Sequence, residues 1–468
     1  MGRRIFFRDL TILVAIGVGI TSVIAFSAPK AVQSFWVNVV WLDQFTDQLA
    51  AGYVYPRWLP DSHNGLGAPV FYFYPPLAFY LAAIPNIFGV PDYSSTIIAF
   101  GVTSVASGIT MYWWLKGAPQ RLLGSALFMA LPYHLFDFFY RGALAEFAAI
   151  AFLPLLAIGL NKRPVVLALS YAGIIMTHLP LALLASVFLV APYGLWLLRK
   201  DFGAIKAMAL GLTAGLLLSS IYLYPALSLD EFRKADELYL LPHFQPASWN
   251  FFSPESWTNE GEMLRLICMT AATFIGSALL IRQGFWPALA ILVCIIVSGA
   301  IGVWSVPLLA KVQFPWRALP IAEFALATAF AYTARGWLAP LAVAPALAMT
   351  QIIPIGGNST IYSFDHFTET HRDVAEYLPA AVPAGITNYM EWAQQLDRPN
   401  DTFYFPSLGT SRDGVFLDNP PKLRTLPEET MGLFLSLLGL LLIIVIAVRS
   451  HKHSIEAKKA QPPPRARE

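Results

Sequence analysis

The chain has 468 residues, 56% hydrophobic, 14% aromatic and only 13% charged, with a formal net charge of +2. Soluble domains carry about 25% charged residues, so a mean hydropathy of +0.56 excludes an ordinary water-soluble enzyme. The small, dispersed charge also excludes a nucleic-acid partner, because the basic residues collect at helix ends, where they set membrane topology.

The opening MGRRIFFRD followed by LTILVAIGVGITSVIAFSA is a basic flank and a long apolar helix. Phe26-Ser27-Ala28 loosely resembles a signal-peptide cleavage site, but the run is longer than a usual signal core. An uncleaved anchor with a cytoplasmic N-terminus is the favoured reading, and it makes residues 29–68 extracytoplasmic. Further apolar segments follow at 71–90, 96–115, 122–137, 145–160, 165–178, 181–198, 205–227, 263–281, 285–304, 319–334, 337–354 and 431–448. A span needs about 20 apolar residues, and the expected fold is an all-α polytopic bundle of about 12–13 membrane segments. Cys268 and Cys294 sit inside such runs and read as small hydrophobes, with no disulfide or Cys-based metal site.

Placing Lys116/Arg121, Lys162/Arg163, Arg199/Lys200, Arg282, Arg335 and the C-terminal tail in the cytoplasm gives a consistent alternation. Segment 71–90 is the odd one. Either it returns on one side, helped by Pro75-Pro76 and Pro85, or a short segment within 165–198 does not cross. Residues 1–354 form the membrane module and 355–430, polar and broken by Pro and Gly, a small extracytoplasmic subdomain. A last span at 431–449 leads to a basic, disordered cytoplasmic tail at 450–468.

The first loop holds the densest chemistry. Asp43 and Asp47 are four apart and share a face if the loop opens with an interfacial helix. Such a pair could deprotonate an acceptor hydroxyl or hold a divalent cation, although an isolated acidic pair is more often a solvated face. PRWLPD adds Arg57 and Asp61, and FYFYPPL returns to the membrane with Tyr74 among stacked aromatics. An Arg at a water–lipid boundary suits a phosphate, or simply anchors the chain among headgroups.

PYHLFDFFYRGALAEF brings His134, Asp137, Arg141 and Glu146 to the junction of two apolar segments. Ionisable groups at membrane depth are costly and are usually functional or paired, and an Asp137–Arg141 pair at i+4 is the structural alternative. Thr177-His178-Leu179-Pro180 interrupts an apolar run, and a lone His there is more often a hydrogen-bonded core residue than a ligand. QFPWRALP places Arg317 at a helix start as a phosphate candidate, with Glu323 available to neutralise it. No Walker loop, dinucleotide fingerprint, HExxH or CxxC occurs, so nucleotide-driven and redox chemistry lack local support.

GYVYPRWLPDSHNGLGAPVFYFYPPLAFYL, PYHLFDFFYRGALAEFAAIAFLPL, THLP, QFPWRAL and EYLP, in this order, resemble a bacterial family of large multispanning membrane proteins. Its members are often labelled 6-pyruvoyl-tetrahydropterin synthase-related. That activity belongs to a soluble zinc enzyme, and this chain lacks a compact His cluster for zinc. The wider similarity is to the GT-C superfamily of membrane glycosyltransferases, which implies interfacial helices in the first loop and location in the bacterial inner membrane. It implies a polyprenyl-phosphate-linked sugar as donor and a cell-envelope glycan or lipid as acceptor, met on the periplasmic face among membrane lipids.

By that resemblance Asp43, with Asp47 as runner-up, acts as base or metal ligand, and a divalent metal ion is a possible cofactor. Arg57, Arg141 and Arg317 bind the donor phosphate, while Glu146 and His178 orient groups in the cavity. Asp61, Tyr74 and His134 complete the substrate-binding set, and Glu146 is the third acid that could serve as catalyst. The family's first-loop acid falls near Val37 or Asn38 here, where this chain has none. Either Asp43 has taken over that role, or the protein has lost transfer and kept a binding cavity as a non-catalytic component of surface-polysaccharide export or assembly. A solute transporter ranks third, because its ionisable groups belong near the bilayer midplane. The enzyme reading needs Asp43, Arg57, Arg141, Glu146 and Arg317 to line one cavity.

Overall fold

The computed structural model describes residues 2–27, 34–62, 67–233, 242–333 and 425–459. The apolar segment at 337–354, the subdomain at 355–430, the EYLP motif and the last residues of the tail lie outside, or almost wholly outside, these described residues.

Every regular element among them is helical. We number the principal helices α1 (Gly2–Ser27), α2 (Phe35–Ala50), α3 (Leu77–Ile87), α4 (Asp92–Trp114), α5 (Arg121–Arg141), α6 (Leu144–Leu160) and α7 (Pro164–Thr177). They continue as α8 (Leu179–Lys200), α9 (Ala204–Leu218), α10 (Ser220–Ser228), α11 (Glu260–Leu279), α12 (Phe285–Val297), α13 (Leu319–Ala331) and α14 (Pro427–Lys459). The protein is an all-helical, multipass membrane protein.

Six described helices are long and apolar enough to cross a bilayer: those at Arg4–Val23, Asp92–Trp114, Arg121–Arg141, Leu179–Lys200, Pro254–Leu279 and Pro427–Ser450. A seventh arises if α9 and α10, bent by 68° at Ser219, count as one. The other apolar segments among the described residues become shorter helices. A 13-residue helix such as α12 or α13 spans about 20 Å at about 1.5 Å per residue, short of the hydrocarbon core of about 30 Å. The helix α13 is accommodated because protein, not lipid, surrounds it. Every residue of α13 is buried.

Segment 71–90 is likewise not a span. Pro75-Pro76 splits it into a turn at Val70–Phe73 and the 11-residue α3. The helix α14 also corrects the expected tail: it runs past 449 to Lys459, since Glu456, Ala457 and two lysines favour helix and no proline intervenes before Pro462.

Two large hydrophobic clusters make up the interior. One gathers α2, α3 and the first loop around Phe35, Phe45, Phe71, Phe79 and Phe100. The other fills the space among α5 to α8 and α11 to α13. The α5–α6 junction belongs to both, with Phe136 and Ile150 in the second cluster and Phe138, Leu144 and Phe147 in the first. The charged residues of PYHLFDFFYRGALAEF therefore lie on the seam.

Candidate functional site

The seam site is built by three breaks in helical structure. The end of α5 widens into a π-helical turn at Asp137–Arg141, closed by Gly142 in the left-handed conformation at φ 58°. Glycine takes that backbone without steric cost, and α6 can then start at Leu144 and bring Glu146 back over the turn. The second break is at His178: Pro180 cannot donate a backbone hydrogen bond, so α7 stops at Thr177. The His178 backbone is extended and its Nδ1 accepts from the Leu181 N–H at 3.3 Å, capping α8. The third is the 3₁₀ turn Pro315–Ala318, which delivers Arg317 just before α13.

These breaks converge on one carboxylate. Arg141 Nη1 donates to Glu146 Oε2 at 2.5 Å, to Asp137 Oδ1 at 2.8 Å and to the Tyr133 hydroxyl at 3.1 Å. The Tyr133 hydroxyl in turn donates to Glu146 Oε1. Arg317 Nε donates to Glu146 Oε2 at 3.2 Å, while its Nη1 is held by the Val312 carbonyl and Gln313 Oε1, both at 2.8 Å. His178 Nε2 lies 3.7 Å from the same Glu146 oxygen. With Nδ1 accepting from Leu181, the neutral imidazole carries its proton on Nε2, directed at that carboxylate. Glu146, Arg141 and Asp137 are almost wholly buried, whereas the Arg317 side chain keeps 11% exposure.

The surroundings are aromatic. Tyr140 stacks on Phe136 at 5.0 Å and meets the Arg265 guanidinium at 4.2 Å. Phe314 stacks on Trp316 at 4.6 Å, and Trp249 meets Trp316 edge-on at 4.8 Å. A cavity of about 330 Å³ is lined by Gln245, Pro246, Trp304, Ser305, Pro307 and Lys311. The strand of chain from Lys311 to Arg317 thus borders the cavity at one end and the Glu146 cluster at the other. Gln313, in its middle, adopts φ 66°, a strained backbone for a side-chain-bearing residue.

The remaining predicted residues lie elsewhere. Asp43 and Asp47 are exposed on α2, and Asp61 is exposed in the loop, its N–H donating to Gln44 Oε1 at 2.9 Å. Packed surroundings strip water from the Asp43 carboxyl, and Asp92, Asp47 and Asp61 add like charge; together they push its pKa up to about 6. Among the described residues no group of three or more His, Cys, Asp or Glu side chains is placed to hold a metal ion. Tyr74 is half-buried against Trp41 at 5.1 Å.

Arg57 belongs to a different group. It is buried over the Tyr55 ring, donates to the Ile221 carbonyl at 2.7 Å and faces Glu429 at 3.7 Å. No hydrogen bond or ion pair among the described residues joins Asp43 or Arg57 to Arg141, Glu146 or Arg317. The start of α2 is hydrogen-bonded to the seam. There Ser34 N–H donates to the Arg141 carbonyl at 2.8 Å, and Asn38 Nδ2 donates to the Gly142 carbonyl at 2.7 Å.

His134 also lies apart from the Glu146 cluster. It is enclosed by Phe128, Phe147 and Glu323, with 1% exposure, so it cannot touch a substrate in this conformation. Glu323 does not neutralise Arg317 either. Its Oε1 accepts the Tyr133 N–H at 2.6 Å, and its Oε2 lies 3.5 Å from His134 Nδ1. Sequence reasoning missed Tyr133, Gln313, Arg265 and Glu429. Of these, Tyr133 and Gln313 stood inside quoted motifs, while the other two carry no local signal.

The site and fold together define a multipass membrane protein with a buried guanidinium–carboxylate cluster under an aromatic wall. No family model matches the chain, and no curated protein matches it. Among solved structures, the chain is similar to the mycobacterial arabinofuranosyltransferase AftD, determined by single-particle cryo-EM, with 15% identity and a TM-score of 0.42. That similarity covers 84% of this chain and 29% of the other, so the chain spans less than a third of that protein's length.

Proposed function

We propose that the protein is a membrane glycosyltransferase moving a sugar from a polyprenyl-phosphate donor to a cell-envelope glycan or lipid acceptor on the periplasmic face of the inner membrane. The observation that carries this reading is the convergence of Arg141 and Arg317 on Glu146, with Arg317 next in sequence to the stacked Phe314 and Trp316 on a stretch of chain whose Lys311 lines a cavity. Arg317 spends Nε and Nη1 on protein partners and keeps Nη2 for a phosphate oxygen, a pairing for which the planar guanidinium is suited. Glu146 and Tyr133 fix the two guanidiniums, so Glu146 is a positioning residue here and not the base. A carboxylate shared by two arginines has little tendency to take a proton. The cavity's 330 Å³ lies at the small end of the range of about 300–1,000 Å³ typical of small-molecule sites, and Trp304, Gln245 and Lys311 suit a saccharide ring.

Asp43 is the base in this scheme, because a pKa near neutrality gives an acid both the right protonation state and proton-transfer strength. It must meet the acceptor hydroxyl from the exposed side of α2. Asp47 is its runner-up, and a divalent ion would bind through this acidic face if one takes part. Arg57 serves a phosphate from its own site.

A specific observation favours the rival reading, a non-catalytic component of surface-polysaccharide export or assembly. Asn38, at the position where the resemblance expects an acid, is used up structurally by the Ser34 and Gly142 carbonyls. The deciding experiment is sugar transfer from a panel of polyprenyl-phosphate donors by the purified chain in lipid, with Asp43→Asn and Arg317→Gln alongside. Transfer by wild type that falls at least 100-fold in both variants sustains the enzyme. No transfer by folded wild type across the panel leaves the rival.

A further inference from the structure

The search outside the seam site ends at Arg57. Its guanidinium is held on three sides, by the Tyr55 ring at 3.7 Å, the Tyr72 ring at 5.4 Å and the Ile221 carbonyl at 2.7 Å from Nη2. The fourth side faces Glu429, in the first turn of α14. That contact is loose: Arg57 Nε is 3.7 Å from Glu429 Oε2, and the carboxylate accepts instead from the Tyr72 hydroxyl at 2.6 Å and the Leu426 N–H at 3.3 Å. Arg57 Nη1 and the Tyr55 hydroxyl are both buried; the guanidinium lies beside the hydroxyl, but neither atom makes a hydrogen bond of good geometry. Buried donors are almost always satisfied in native proteins, and two poorly satisfied polar atoms beside a carboxylate that stands off the guanidinium describe a site shaped for a larger oxyanion. A carboxylate offers two oxygens on one plane, whereas a phosphate offers three or more in a tetrahedral array and can reach Nε, Nη1 and a phenol together.

We infer that Glu429 is a displaceable internal stand-in for a phosphate group, which binds Arg57, Tyr55 and Tyr72 in its place. This rests on the phosphate-binding role proposed for Arg57. The Ile221 carbonyl that fixes Arg57 lies just after the bend between α9 and α10, and the Ile221 N–H donates to Ser436 Oγ of α14 at 2.7 Å. Displacement of Glu429 therefore acts on the first turn of α14, while Ser436 keeps the rest of that helix seated.

The test is binding without turnover, read by tryptophan fluorescence on the full chain in lipid nanodiscs. The probes are a C15 isoprenyl monophosphate, the uncharged C15 isoprenol and inorganic phosphate. Glu429→Gln removes the competing charge and is expected to tighten monophosphate binding about tenfold while leaving isoprenol unchanged. Arg57→Gln is expected to abolish the preference for monophosphate over isoprenol. If Arg57→Gln fails to fold, Tyr55→Phe, which removes only the hydroxyl, is expected to weaken monophosphate binding several-fold. Competition by inorganic phosphate alone identifies a free anion as sufficient; its failure alongside tight monophosphate binding identifies a lipid-linked one. Unchanged or weaker binding by Glu429→Gln overturns the inference, whatever the transfer assay gives. Tighter binding with no sugar transfer by wild type sinks the enzyme reading and leaves this site standing.

Discussion

Arg141 serves three oxygens at once, and the cost of losing it differs from that of losing Arg317. Removing one partner of a buried ion pair strands the other charge and costs about 3–5 kcal/mol. Arg141→Met strands Asp137 and takes from Glu146 its shorter guanidinium contact, leaving it Arg317 and Tyr133, so its melting temperature in detergent should fall furthest. Arg317→Met leaves Glu146 with Arg141 and Tyr133, and a loss of about 1–3 kcal/mol is expected, the scale of a charged hydrogen bond. A smaller loss for Arg141 than for Arg317 would contradict the geometry. Asp43 gives a pH signature of opposite sense to a salt-bridged acid. Its pKa rises from 3.8 to about 6 on folding, so the folded state holds the proton more tightly. Its favourable share of stability is complete below about pH 4 and is lost as pH rises through about 6. Asp43→Asn should match wild type near pH 4 and melt higher at pH 7. In the transfer assay, the same titration should appear as an acid limb near pH 6 that vanishes in the variant. At this scale the sequence was informative where partners are close along the chain: PYHLFDFFYRGALAEF contains Tyr133, Asp137, Arg141 and Glu146 complete. It was uninformative for Arg317 with Glu146, 171 residues apart, and for Tyr72 with Glu429, 357 apart. No local periodicity encodes such pairings.

The helices carry their own tests at glycines. Gly142 sits at φ 58° between the π-turn and α6, a conformation that costs an L-residue about 1–2 kcal/mol. Gly142→Ala should lower stability by that amount and, by tilting α6, weaken the Glu146 contacts, visible as an extra loss in the Arg141/Glu146 double-mutant cycle. In α14, a Cβ on Gly439 would stand 2.5 Å from Leu218 N, and one on Gly432 would stand 2.6 Å from the Ser220 carbonyl oxygen. Small residues spaced along one face let membrane helices approach closely. Gly439→Leu should therefore unseat α14 from the α9–α10 bend at a cost of about 1–3 kcal/mol. Faster proteolysis near residue 425, with α1 and α4 unaffected, is the check. Apolar length was legible for the long helices but misleading for the short ones. A run such as 285–304 has the hydropathy of a span, yet only Phe285–Val297 is helical before Gly299 turns the chain at φ 81°. Hydropathy records the burial of a segment and not whether lipid or protein surrounds it.

For the whole molecule, the position of the charged cluster between two apolar clusters matters more than its composition. Apolar surfaces slide over one another at little cost, since one hydrocarbon contact replaces another. A buried carboxylate that must remain within hydrogen-bond reach of guanidiniums from a second helix permits no such sliding, because a displacement of a few ångströms leaves bare charge in a low-dielectric interior. Glu146 therefore works like a dowel between two boards: it fixes alignment while contributing little net attraction. A molecule pinned at that seam must accommodate any incoming ligand at its margins, where α2 hangs from Asn38 and α14 rests on Glu429. Cross-linking α14 to α10 should then restrict ligand access, whereas cross-linking α5 to α6 should leave it unchanged.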